Sequence, residues 1–397
     1  MLHKIYRKIL NPFIYFFKNE ASSGVILLAC AVIAIIIANS GWAGAYENIL
    51  HTYITIGYKD FSLSMSVLHW INDGLMAIFF LVVGMEIKRE IKFGELKSLK
   101  KTILPVSAAI GGMIVPAIIY AVFNYNEPTI TGWGIPMATD IAFALGILSL
   151  IGKKAPKGII VFLTALAIVD DLGAIIVIAV FYTNQISWIA LIIAGIILAL
   201  LIIANRFNVK STAVYIILGI VLWICILKSG IHATIAGVLL GMVLPSGKSV
   251  HDFEVSILHK LEHILAPWSS FVIMPIFALA NSGIAIDINS VSTGIFEPVS
   301  LGIIFGLFVG KQIGIFGASY ILVKLKIASL PHQVTKRHLY GASVLGGIGF
   351  TMSLFVSSLS FADQGILTEA KISIMIASIL AAAVGAIVFA LIKIKSE

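Results

Sequence analysis

Ala165-Leu166-Ala167-Ile168-Val169-Asp170-Asp171-Leu172-Gly173-Ala174-Ile175 lies in the middle of an apolar run from 157 to 182. The run is long enough to cross a bilayer, which takes roughly 20 residues of helix. A carboxylate at that depth is expensive, so each one is a candidate for function. Two adjacent carboxylates cannot both ionise cheaply in a low dielectric, so they hold a shared proton, a cation or a lysine.

The rest of the chain fits a membrane setting. Of 397 residues, 59% are hydrophobic and 12% charged, against about half and about a quarter in soluble domains. Lipid offers no partners to backbone polar groups, so the spans are helices; the short alternating segments of a β-barrel are not present. Twelve spans are expected, near 22–40, 67–85, 102–123, 132–151, 157–182, 186–204, 211–228, 230–244, 256–281, 299–322, 336–360 and 367–392. The expected fold is therefore an all-α membrane protein, one domain over 1–397.

The loops set the orientation. If the N-terminus and every second loop share a side, that side holds 23 of the 27 lysines and arginines. The other side holds Lys59, Lys228 and Lys371, and Lys311 stays inside a span. This asymmetry puts both termini in the cytoplasm of a multi-pass inner-membrane protein. The basic residues lie in short loops rather than on one soluble face, so the net charge of +8 does not argue for nucleic acid. Cys30 and Cys225 lie in apolar segments, which speaks against a disulfide framework or a metal site. The basic start, Lys4, Arg7 and Lys8, followed by Gly24 to Ala38, imitates a signal peptide, but the remaining chain is equally apolar and the first span reads as uncleaved. Residues 1–18 read as an interfacial helix. In the loop 41–66, Ile54, Ile56 and Tyr58 alternate before Lys59-Asp60, and Phe61, Leu63 and Met65 after it, which predicts a β-hairpin on the outer surface.

The charges within spans are Asp140, Asp170, Asp171 and Lys311, with Asp73 and Glu86 in the second span, His232 near the start of the eighth, and Glu262 and His263 at the start of the ninth. Asp140 precedes Gly152 by 12 residues, Asp170 follows Lys157 by 13, and Lys311 precedes Lys324 by 13. At about 1.5 Å per residue, each lies roughly 18–20 Å from the cytoplasmic edge. Three helices thus bring ionisable groups to one level. Lys311 supplies one positive charge for several carboxylates, which leaves a site able to alternate between protons and a small hard cation. Glu86, Lys88, Arg89 and Glu90 read equally as a solvated helix end with local ion pairs.

Two spans are interrupted. Gly132-Trp133-Gly134-Ile135-Pro136 precedes Ala138-Thr139-Asp140, and Gly346-Gly347-Ile348-Gly349 precedes Phe350-Thr351. Proline removes a helical hydrogen bond and bends the chain. The breaks occupy corresponding places in two three-helix units, 102–182 and 299–392, which start on opposite sides of the membrane. Paired broken helices in inverted repeats point to a transporter's binding site.

These residues resemble a known family. Ala138-Thr139-Asp140-Ile141-Ala142-Phe143-Ala144-Leu145-Gly146, the stretch quoted first, and Lys228-Ser229-Gly230-Ile231-His232-Ala233-Thr234-Ile235-Ala236-Gly237 look like signature stretches of the NhaA sodium/proton antiporters. So do Trp70-Ile71-Asn72-Asp73-Gly74-Leu75-Met76-Ala77, Val83-Gly84-Met85-Glu86-Ile87-Lys88-Arg89-Glu90, Leu261-Glu262-His263 and Gly349-Phe350-Thr351-Met352-Ser353. The likeness runs in order along nearly the whole chain. It departs after Lys311, where the family usually has proline and this chain has Gln312. The resemblance implies an electrogenic exchanger of sodium or lithium for protons, with no cofactor, working as a homodimer through the hairpin loop. It implies an ion site of Asp170 and Asp171 with Thr139 nearby, Asp140 and Lys311 offsetting the partial charges of the broken helices, and a pH response linked to Glu86, Lys88, Arg89, Glu90, His232, Glu262 and His263. The main rival is a sodium-coupled symporter of an organic solute, which would want a polar solute cavity; few Asn, Gln or Ser residues lie at site depth.

Overall fold

The computed structural model describes residues 20–58, 61–151, 155–183, 186–286, 294–331 and 333–392. The expected interfacial helix at 1–18 and the hairpin turn Lys59-Asp60 lie outside them. The elements in chain order are α1 Glu20–Ala38, α2 Ala43–His51, β1 Tyr53–Tyr58 and β2 Phe61–Ser66. Then come α3 Val67–Lys92, α4 Leu99–Phe123, a 3₁₀ segment Pro128–Met137, α5 Ile141–Ile151 and α6 Lys157–Phe181. They continue with α7 Trp188–Arg206, α8 Thr212–Ser229, α9 Thr234–Val243, α10 Val250–Glu254 and α11 Ile257–Asn281. The last are α12 Pro298–Lys324, α13 Lys336–Leu345, α14 Phe350–Ser360 and α15 Gln364–Leu391.

Among the described residues, eight helices are long and apolar enough to cross a membrane, and eleven spans result if each of three bent pairs counts as one. The short apolar helix α9 brings the apolar segments to twelve. Gly230 to Ala233 separate α8 from α9, with Gly230 at φ 85°, a left-handed turn that costs glycine little.

β1 and β2 pair antiparallel, with Ile54 opposite Met65, Ile56 opposite Leu63 and Tyr58 opposite Phe61. The apolar residues of both strands therefore share one face, and Ile54, Ile56 and Tyr58 leave it exposed.

Two bent pairs define the centre. The 3₁₀ segment and α5 meet at 42°, and so do α13 and α14. Each pair lies between two long helices, α4 and α6 in the first case, α12 and α15 in the second. α4 and α12 pack side by side and antiparallel. A Cβ on Gly302 would meet Tyr120, one on Gly310 would meet Pro116 at 2.9 Å, and Gly111 and Gly314 face each other backbone to backbone. The two units thus run in opposite senses along their contact.

A larger apolar core joins α1, α3 to α6 and α11 to α15; a smaller one joins α7, α8 and α9 to parts of α3 and α11. α6 is mostly buried, whereas few residues of α7 are, among them Ala194, Leu201 and Ala204. The carboxylates of α6 therefore lie at the heart of the larger core, and α7 lies at the periphery.

Candidate functional site

The backbone breaks come first, because they supply groups that a continuous helix would consume. Ten residues of 3₁₀ helix are unusual, since such runs seldom exceed three or four. Neighbouring tyrosines hold this one. Tyr120 donates to the Thr129 carbonyl at 2.7 Å, and Tyr182 donates to the Thr131 carbonyl at 2.7 Å and accepts from the Gly134 N–H at 3.2 Å. The chain then runs extended through Ala138 to Asp140, and the second break is Gly346 to Gly349. The breaks cross in contact: the Asp140 N–H donates to the Ile348 carbonyl at 2.7 Å, and Ser353 Oγ donates to the Ile135 carbonyl at 2.8 Å.

Asp140 stands where two helices begin. One oxygen accepts the Phe143 N–H at 2.9 Å, capping α5; the other accepts the Thr351 N–H at 3.1 Å and the Thr351 hydroxyl, capping α14. One carboxylate thus faces two positive helix ends. Asp140 is buried, and both its oxygens are satisfied within the protein.

Asp170 and Asp171 lie near the middle of α6, both buried. Lys311 of α12 is fully buried; its Nζ lies 2.6 Å from Asp170 Oδ2 and 2.9 Å from Thr139 Oγ1. Thr139 Oγ1 lies 2.7 Å from Asp170 Oδ2 and 2.9 Å from the Gly346 carbonyl, so its single proton serves one of them at a time. Among the described residues, Asp170 Oδ1 and Asp171 Oδ1 are buried without a hydrogen-bond partner. A buried polar atom left unpaired costs roughly 1–3 kcal/mol, more when charged, so two on neighbouring residues call for a ligand. The oxygen donors here suit a small hard cation.

The residues expected to carry a pH response fall into separate groups. Arg89 joins three acids, 3.3 Å from Glu86, 3.2 Å from Glu90, and in contact with Glu262. Lys88 instead donates to the Leu244 carbonyl at 2.5 Å. His263 has its ring 6.3 Å from that of His259. His232 is elsewhere: its Nε2 is 2.8 Å from the Tyr182 carbonyl, and it lines a cavity of about 610 Å³ beside the base of the hairpin, with Asp73, Asn281 and Lys371. Neither Asp170 nor Asp171 lines that cavity.

Sequence reasoning missed Thr351 as a partner of Asp140 and Tyr340 as a partner of Gln312, a residue it noted only as a departure from the family. Thr351 had a signal: a hydroxyl two residues after a glycine break, at the start of a half-helix, is capping chemistry. Around Lys311 the helix continues through two wide turns, Phe305–Gly310 and Gln312–Phe316.

The profile of the Na+/H+ antiporter 1 family matches residues 15–389. The chain is 77% identical to Na(+)/H(+) antiporter NhaA 1 of Clostridium beijerinckii, over 100% of this chain and 99% of that one. It is 48% identical to Na(+)/H(+) antiporter NhaA of Vibrio cholerae, over 93% and 95% of the two chains. Among solved structures it is similar to the sodium proton antiporter MjNhaP1 from Methanocaldococcus jannaschii, with a TM-score of 0.57, 14% identity, and 98% and 95% of the chains covered. That last likeness concerns the fold.

Proposed function

The chain belongs to the Na+/H+ antiporter 1 family, and we propose that its sodium/proton exchange runs through Asp170 and Asp171. The observation that carries this is the pair of unpartnered Oδ1 atoms on adjacent buried aspartates, beside a lysine and a threonine hydroxyl.

Charge counting gives the cycle. With Lys311 protonated on an ionised Asp170, electroneutrality leaves a proton on Asp171. A sodium ion that takes one oxygen from each aspartate, with Thr139 Oγ1 as a further ligand, needs both carboxylates ionised. The Asp171 proton then leaves. Lys311, displaced from Asp170 by the cation, loses its hydrogen-bonded partner in a low dielectric and gives up a second, so the sodium-loaded site carries one net negative charge where the proton-loaded site carries none. Two protons exchange for one sodium, so each turnover moves one net charge. Protons from the other side reverse the step, and alternating access makes it vectorial. Sodium and lithium share this chemistry; the family implies no cofactor.

Competition for the same carboxylates shuts the exchange down in acid, and the Arg89 cluster with Glu86, Glu90 and Glu262 lies at the end of α3 where a cytoplasmic pH would reach it. This follows from an orientation with both termini in the cytoplasm, the hairpin outside, and the units 102–182 and 299–392 forming the ion-binding core. The exposed apolar face of the hairpin suits a second copy of the chain, which makes the working form a homodimer.

The test is sodium-driven proton release in liposomes holding the purified protein, followed with a pH dye. The wild type is expected to respond, with half-saturating sodium rising as the pH falls. Asp171→Asn is expected to abolish the response. A variant as fast as the wild type would move the ion site elsewhere.

A further inference from the structure

Gln312 follows Lys311 directly, on a helix wound more widely than usual. The Lys311 N–H reaches the carbonyl of Gly306, five residues back. Wide turns of this kind are rare and gather at functional places. Gln312 braces this one at two points. Its carboxamide nitrogen donates to the Phe308 carbonyl at 2.7 Å, inside the first wide turn. Its carboxamide oxygen accepts the Tyr340 hydroxyl at 2.8 Å. The Tyr340 ring is held edge-on by Phe316 of α12, with centroids 5.6 Å apart.

Tyr340 belongs to α13, and α13 ends at Leu345, next to Gly346. The Gly346 carbonyl lies 2.9 Å from Thr139 Oγ1, which lies 2.9 Å from Lys311 Nζ. A closed ring results. It runs from Lys311 to Gln312, across to Tyr340, along α13 to Gly346, through Thr139, and back to Lys311. The section from Tyr340 to Gly346 is about 9 Å of helix, at about 1.5 Å per residue, and stiff on that length. The Gln312–Tyr340 bond is therefore the hydrogen bond that adds to the packing of Phe316 on Tyr340 and of Ile315 on Gly346 in fixing the lysine helix against the broken helix.

We propose that Gln312 is a positioning residue for the cation: its bond to Tyr340 sets where the Gly346 carbonyl and the Thr139 hydroxyl stand relative to Lys311 and Asp170, and thereby the affinity for sodium. Gln312 touches neither the ion nor the aspartates. This rests on the reading of Asp170, Asp171 and Thr139 as the sodium ligands. Without the bond, packing still holds α13 on α12, but the Gly346 carbonyl is held less firmly against Thr139, and a small hard cation meets a ligand whose distance is less fixed. The effect falls on binding, because the titrating groups are unchanged.

Four proteins test this in liposomes: wild type, Gln312→Leu, Tyr340→Phe and the double variant. Tyr340→Phe removes one oxygen and keeps the ring against Phe316, so it stays informative if Gln312→Leu fails to fold. Each single variant is expected to raise half-saturating sodium about three- to tenfold, the scale of one hydrogen bond, and to leave the maximal rate within about twofold. The double variant is expected to match either single one, because both remove the same bond. The ratio of lithium to sodium half-saturation is expected to shift in Tyr340→Phe, since the smaller ion tolerates a displaced ligand differently. A merely structural role would lower the maximal rate and melting temperature with half-saturation unmoved, and that outcome overturns the proposal, as do additive effects in the double variant. A wild type that releases no protons to sodium would overturn the exchange reading itself. Unchanged half-saturation in an active Tyr340→Phe would overturn only the positioning role.

Discussion

Lys311 is fully buried, with Asp170 and Thr139 as polar contacts at 2.6 and 2.9 Å. A buried ion pair contributes little net stability, but removing one partner leaves an uncompensated charge and costs about 3–5 kcal/mol. Lys311→Gln is therefore expected to melt well below the wild type in detergent. Adding Asp170→Asn is expected to recover most of the loss, although that double variant cannot transport. A double variant less stable than Lys311→Gln alone would contradict this account of the pair. The common depth of Asp140, Asp170 and Lys311 was legible in the sequence because helical rise is fixed. Their partners were not. Asp140 bonds to backbone N–H groups of another helix, and every residue but proline carries an N–H. Rotation about the helix axis, which separates a lysine facing Asp170 from one facing Asp140, is lost once breaks and wide turns intervene.

At the scale of elements, glycine and proline marked both breaks, because these residues interrupt helices for local reasons that sequence displays. The glycines and prolines of Pro128–Met137 explain why it is not an α-helix but not its 3₁₀ winding, which is held by hydroxyls of Tyr120 and Tyr182, brought from other helices. The wide turns around Lys311 were equally hidden; they lie where α12 packs against α4, and no residue pattern within the turns announces them. The hairpin is the opposite case: period-two alternation carried its pairing. Its exposed apolar face leads to an expectation for assembly. Deleting 53–66 is expected to turn a dimer in detergent into a monomer, measured by light scattering, with exchange persisting in the monomer because the proposed ion site does not include the hairpin. An unchanged mass would place the contact on another surface.

For the molecule as a whole, the proposed count of two protons per sodium makes a voltage-dependent exchange the expected outcome. One net charge per cycle gains about 2.3 kcal/mol per 100 mV. Clamping vesicles with potassium and valinomycin to an inside-negative potential is expected to speed sodium extrusion. A rate indifferent to the clamp would require one proton per sodium and a Lys311 that never deprotonates. The two apolar cores meet along α3 and α9, where Gly84 faces Val238 and Gly237 and Gly241 face the backbone of Ala77 to Met85. That seam has a mechanical consequence. Interdigitated side chains act as teeth, and sliding past them means climbing out of one set of notches and into the next. Two helices touching through bare backbone have no teeth on that face. The seam rests on close fit instead: a single methyl added at Gly237 would meet the Ala77 carbonyl and wedge the two helices apart.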